Sequence, residues 1–123
     1  MRSDVSGEQL AFLMKDDDGN VQIYTVSPNG GAIKQVTNNP FSVASTISWS
    51  PDGKMIAYAG DDSVFVTEVS SGKTSRVAPK DAARPVLALA VDFSHDGKQI
   101  AYERVVKGAD GERNQIFVTK LAE

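Results

Sequence analysis

Apolar residues along this chain come in short runs broken by turn residues, and none of the runs keeps a helical period. IAYA at 56–59 and VFV at 64–66 are apolar in succession, as strands read when both faces are covered. KTSRVA at 73–78 and AIKQVT at 32–37 mix apolar and polar positions, which suits an outer strand. No window places apolar residues at i, i+3, i+4 and i+7 behind a cap, so the pattern predicts an all-β chain.

The runs also repeat. Residues 47–58 read ISWSPDGKMIAY and residues 91–102 read VDFSHDGKQIAY, with a weaker copy, DVSGEQLAF, at 4–12. A period of about 44 residues predicts stacked repeats rather than one self-contained unit. Each phrase predicts a hairpin. Pro51 presets φ for the first central position of a type I turn, Asp52 suits the second, and Gly53 supplies the left-handed residue. His95 takes the proline's place in the later copy, where Asp96 and Gly97 keep their roles, and Val5-Ser6-Gly7 retains only the glycine.

Two more strand-like segments follow each hairpin. The first is VQIYTV (21–26), SVFVTEV (63–69) or NQIFVTKL (114–121). The second is AIKQVT or KTSRVA, reached through the turns SPNGG (27–31) and SSG (70–72). Four antiparallel strands, A to D, stacked between similar sheets and wetter at the outer edge, make one blade of a β-propeller.

The prediction is a partial β-propeller of about three four-stranded antiparallel blades with incomplete end blades. It forms a single segment over 1–123, with repeat units at 4–37, 46–78 and 88–121. Strand A of the first unit is weak, at 2–5, and the third unit supplies only A to C over 88–120. Both end sheets then expose an apolar face, as interfaces do, so self-association or packing against further blades is expected.

Composition narrows the function classes. The chain is 41% apolar and 24% charged, with a net charge of −3, so electrostatics give no reason to expect nucleic acid. The longest apolar run, VLALAV at 86–91, falls far short of the roughly 20 residues that span a bilayer, so no membrane insertion is expected. The start, MRSDVSGEQ, lacks the apolar core of a signal peptide. Without cysteine there is neither disulfide nor thiolate chemistry.

Several stretches imitate chemical motifs. GKT at 72–74 lacks the glycine a phosphate loop needs five residues earlier, where Thr67 stands, and no helix follows it. DDDGN at 16–20 has Val21 and Ser27 where a calcium loop needs glycine and glutamate. His95, the one histidine, sits at a turn position, and no G-x-S-x-G elbow occurs. No catalytic, metal or cofactor site is expected. Trp49 and Phe93 share one repeat position and are expected to pack between blades, with ligand stacking as the alternative.

Taken together, Trp49-Ser50-Pro51-Asp52-Gly53-Lys54 with Ile56-Ala57-Tyr58, and Phe93-Ser94-His95-Asp96-Gly97-Lys98 with Ile100-Ala101-Tyr102, resemble the WD-like propeller repeat of TolB-type proteins. The same repeat occurs in the propeller domains of prolyl-oligopeptidase-like enzymes. The resemblance covers nearly the whole chain. It implies a non-catalytic, periplasmic platform that binds a protein partner, as in the Tol-Pal cell-envelope system. The alternative it leaves open is a propeller piece of a prolyl-oligopeptidase-like peptidase or another propeller-fold hydrolase or lyase.

Topology indicates where a partner would dock. In an up-and-down sheet the B-to-C and D-to-A connections share one end. The B-to-C loops hold Asp16, Asp17, Asp18, Asp61, Asp62, Asp110 and Glu112, offset only in part by Lys107 and Arg113. The longer D-to-A connections, 37–45 and 79–85, lie at that same end, so this acidic face is the candidate docking surface.

Overall fold

The computed structural model describes residues 2–3, 9–87 and 91–121. They form three antiparallel sheets whose strands lie side by side in chain order. The first holds β1 (Arg2–Ser3), β2 (Leu10–Lys15), β3 (Val21–Val26) and β4 (Lys34–Gln35). The second holds β5 (Ser48–Trp49), β6 (Met55–Gly60), β7 (Ser63–Glu68) and β8 (Thr74–Ala78). The third holds β9 (Asp92–Phe93), β10 (Gln99–Gly108) and β11 (Gly111–Lys120). No helix among the described residues is long and apolar enough to cross a membrane.

The apolar residues sit between sheets rather than inside them. One core joins Ala11, Ile23 and Val36 of the first sheet to Ile56, Tyr58 and Phe65 of the second, with Trp49 packed against it. Another joins Ala57, Ala59, Val64 and Val66 of the second sheet to Ile100 and Tyr102 of the third, with Phe93 packed against it. Trp49 and Phe93 therefore pack between blades. A sheet covered on both faces cannot alternate apolar and polar residues, which is why 56–59 and 64–66 read as unbroken apolar runs. Each sheet carries one cross-strand aromatic pair, Phe12–Tyr24, Tyr58–Phe65 or Tyr102–Phe117, with ring centroids 5.8, 5.8 and 6.0 Å apart. These pairs put the three blades in register.

The A-to-B turns form as the residues require. Gly53 and Gly97 take φ of 74° and 73°, and their N–H groups donate to the Ser50 and Ser94 carbonyls at 2.9 Å. Val5-Ser6-Gly7 lies outside the described residues. The structure departs from the sequence expectation at three places. The weak first strand pairs with β2 through Arg2↔Ala11 and Ser3↔Leu10, so the first sheet has four strands. The predicted outer strand at 32–37 shrinks to Lys34–Gln35, because Val36 and Thr37 both turn their N–H groups to the Ile23 carbonyl. The third departure is at 107–113, expected as a loop, where the β10–β11 ladder instead continues to Gly108↔Gly111.

The blades are joined by a repeated device. Each D-to-A linker runs beside the far end of the next B strand, beyond the short A strand. Val43 bridges Gly60, and the Ala44 N–H donates to the Ala59 carbonyl at 2.8 Å. Val86 likewise bridges Arg104, and the Leu87 N–H donates to the Glu103 carbonyl at 2.8 Å.

Candidate functional site

The hydrogen bonds bring the B-to-C turns and the D-to-A linkers to one end of the blades, as the topology requires. In the first blade the organiser is Gln22, fully buried between them. Its Nε2 donates to Asp16 Oδ2 at 3.0 Å and to the Asn39 carbonyl at 2.8 Å. Its Oε1 accepts from Thr37 Oγ1 at 2.7 Å and from the Asn39 N–H at 3.2 Å. Asn39 Nδ2 in turn donates to the Tyr58 hydroxyl of the second blade at 3.0 Å. A buried network with every group satisfied holds its loops in one arrangement.

Asp16 closes its own turn, its Oδ1 accepting the Asp18 and Asn20 N–H groups at 3.0 and 2.9 Å. The Gln22 amide first, and these backbone donors after it, hold the Asp16 carboxyl below its ordinary range. Asp17 and Asp18 are exposed at the tip and make no ion pair among the described residues.

Asp61 and Asp62 form a tight turn with φ of 47° and 55°, left-handed values that aspartate tolerates better than most residues. Their charge is largely engaged. Asp61 pairs with Lys80 Nζ at 3.0 Å and Arg76 Nη2 at 3.6 Å, and Asp62 Oδ1 accepts the Val86 N–H at 2.8 Å. These two carboxylates tie the linker to the turn.

Asp110 and Glu112 belong to the third departure named above. Asp110 is in the two-residue turn of a β-hairpin arm, and Glu112 lies on β11, 3.9 Å from Lys107. The β10–β11 ladder has ten residue pairs against six between β6 and β7. The four extra pairs carry the arm about 13 Å past the neighbouring turns. At its base Arg104 is buried, donating to the Arg84 and Pro79 carbonyls at 2.8 Å each and lying over the Tyr102 and Phe117 rings.

Sequence reasoning missed Gln22, Asn39 and Arg104. One signal was available: polar residues stand inside otherwise apolar strand segments at 22 and 104. The arm was signalled by the run of Val105 and Val106 before the turn.

At the opposite end, a groove of about 590 Å³ between the second and third blades is lined by Met55, Arg76, Lys98 and Leu121 among others. Its carboxylates, Asp52 and Asp96, are already used in the A-to-B turns. His95 is exposed in the later turn, GKT forms a C-to-D turn, and no group of three His, Asp or Glu side chains among the described residues could hold a metal ion.

Two four-stranded sheets and one three-stranded sheet, stacked face to face in chain order, make the chain a partial β-propeller. No family model matches it. Over 102 residues it is 35% identical to the uncharacterised protein YidR of Escherichia coli, covering 83% of this chain and 24% of that protein. Over 110 residues it is 34% identical to a TolB homologue of Chlorobium chlorochromatii, covering 82% and 24%. A third relative, the uncharacterised peptidase YuxL of Bacillus subtilis, is 29% identical over 103 residues, with 81% and 15% covered.

Among solved structures, the tricorn protease superposes with a TM-score of 0.73 at 16% identity over 93% of this chain and 11% of that one. A putative TolB from Agrobacterium tumefaciens gives 0.68 at 20% identity over 98% and 44%. The chain belongs to the TolB-type β-propeller family. It spans 24% of the length of the first two relatives.

Proposed function

We propose that these blades are a non-catalytic, TolB-like platform that binds a protein partner in the periplasm through their loop-bearing end. The observation that carries this is the combination at that end of fixed loops and unspent charge. Gln22, Asn39, Asp61, Asp62 and Arg104 hold the connections in place, while Asp17, Asp18 and the β10–β11 arm stand exposed on them. A rigid scaffold with exposed acidic tips suits a basic protein surface, since complementary charge steers association.

The test is site-specific photo-cross-linking in cells carrying the parent protein, with the reactive residue at position 110. A defined adduct is expected, weakened at least about tenfold by Asp17→Lys with Asp18→Lys. Equal adducts from position 29, at the other end, or no response to charge reversal, would refute the reading.

The likeness to YuxL supports a second reading, in which the blades are the scaffold of a peptidase. Peptide hydrolysis by the parent protein that survives the same charge reversals would favour it.

A further inference from the structure

We infer that Asn29 is a site of spontaneous covalent modification, where the side-chain amide deamidates in the folded protein to give aspartate and isoaspartate. Five Asx-Gly pairs occur in the chain, at 18–19, 29–30, 52–53, 96–97 and 110–111. A glycine after the Asx residue leaves the attacking backbone nitrogen unshielded, since it carries no Cβ. Asp18 and Asp110 are exposed at turn tips, but a carboxylate accepts a nitrogen nucleophile far less readily than an amide does. Asn29 alone among the five presents an amide.

Two of the turns share nearly the same residues and the same backbone. Ser27-Pro28-Asn29-Gly30 and Ser50-Pro51-Asp52-Gly53 each close with the glycine N–H donating to the serine carbonyl at 2.9 Å. The third residue's side chain separates them. Asp52 Oδ1 accepts from Ser50 Oγ at 2.6 Å and from the Lys54 N–H at 3.0 Å, which fixes that side chain between them. Ser27 Oγ instead accepts the Asn29 backbone N–H at 3.2 Å, and the exposed Asn29 amide makes no hydrogen bond among the described residues. The space beside it is open as well. A Cβ at Gly30 would meet nothing within 4 Å, whereas one at Gly97 would lie 3.3 Å from Pro51 Cδ. The equivalent turn of the second blade, Ser70-Ser71-Gly72, is exposed although that blade is packed on both faces, so exposure belongs to this turn position.

The Gly30 nitrogen loses its proton and attacks Asn29 Cγ, forming a five-membered succinimide. The Cγ–Nδ2 bond breaks, and the nitrogen leaves as ammonia. Water then opens the ring at either carbonyl, so amide plus water becomes acid plus ammonia with no oxidant or reductant. Opening at one carbonyl gives aspartate. Opening at the other gives isoaspartate, which routes the backbone through the side chain and lengthens the turn that leads to β4 by a methylene. Either product adds a negative charge at the end opposite the loop-bearing one. The inference is independent of what the loop-bearing end binds.

The test holds the purified parent protein in mildly alkaline buffer, digests it at acid pH and maps the peptides by mass spectrometry. Electron-transfer fragmentation distinguishes isoaspartate from aspartate. The peptide carrying 27–31 should exchange its amide for an acid, mostly as isoaspartate. Asp52→Asn places the same four residues, Ser-Pro-Asn-Gly, in the turn whose side chain is held. Its amide should be lost at least about tenfold more slowly than that of Asn29. In concentrated urea the two rates should converge, because the fold is what distinguishes the two turns. An Asn29 amide that survives in the native protein while the urea-unfolded chain deamidates overturns the inference, and that measurement needs no variant. Equal rates at 29 and 52 in the folded variant overturn it too.

Discussion

Ser50 and Ser94 explain why the repeated phrase needs its serine. Ser50 Oγ accepts the Met55 N–H at 3.0 Å and donates to Asp52 Oδ1 at 2.6 Å, and that oxygen also accepts the Lys54 N–H at 3.0 Å. Ser94, Asp96, Lys98 and Gln99 repeat the arrangement. Side chains thus complete the turn, which is why His95 replaces Pro51 without changing the fold. Ser50 is buried, so Ser50→Ala should cost about 1–2 kcal/mol in urea unfolding, and the less buried Ser94→Ala should cost less. The serine hydroxyls, then the backbone donors, hold the Asp52 and Asp96 carboxyls below their ordinary range. A carboxyl lowered on folding binds its proton more readily in the unfolded chain. Its contribution is therefore complete above the unfolded value of about 4 and is lost as pH falls through the folded one. Stability measured from pH 6 down to pH 2 should fall below about pH 4, and less steeply in Asp52→Asn with Asp96→Asn.

Within the elements, Gly60 shows how closely the linkers approach the B strands. A Cβ there would lie 2.8 Å from the Ser42 carbonyl oxygen and 2.9 Å from the Phe41 ring. Phe41 is itself stacked on Phe65, with centroids 4.8 Å apart, so it has little room to move. Gly60→Ala should therefore destabilise by about 1–3 kcal/mol in urea unfolding, through crowding rather than a forbidden φ. The equivalent position in the third blade holds Arg104, whose guanidinium reaches past the strand to the linker carbonyls. The strands and their turns were legible in the sequence, since apolar runs and Asp-Gly pairs are local signals. The linker bridges Val43–Gly60 and Val86–Arg104 were not, because single bridges between distant residues leave no periodicity.

Across the whole molecule, Arg104 anchors the linker between the second and third blades. Arg104→Met would leave two carbonyls without their charged donor, a loss of about 1.5–3 kcal/mol. The loss should appear first as faster hydrogen exchange at Leu87 and Val105, whose N–H groups donate to the Glu103 and Pro85 carbonyls. Exchange in the first blade should change little, since each blade touches only its neighbours. Long-range hydrogen bonds build the loop-bearing end, whereas short-range ones build the A-to-B turns at the other.

The sequence by itself determined the all-β class, the blade repeat and the turn chemistry, because each depends on residues within a few positions of one another. Of the acidic face, it determined only that the carboxylates would gather at one end. Tertiary structure decided which of them remain available. Lys80, Arg76 and the Val86 N–H occupy Asp61 and Asp62, while Asp17 and Asp18 stay exposed at their tip. It also decided that 107–113 rises as an arm and that Ile116 and Val118 face outward. Those outcomes rest on contacts between residues far apart in the chain, and local pattern carries no record of them.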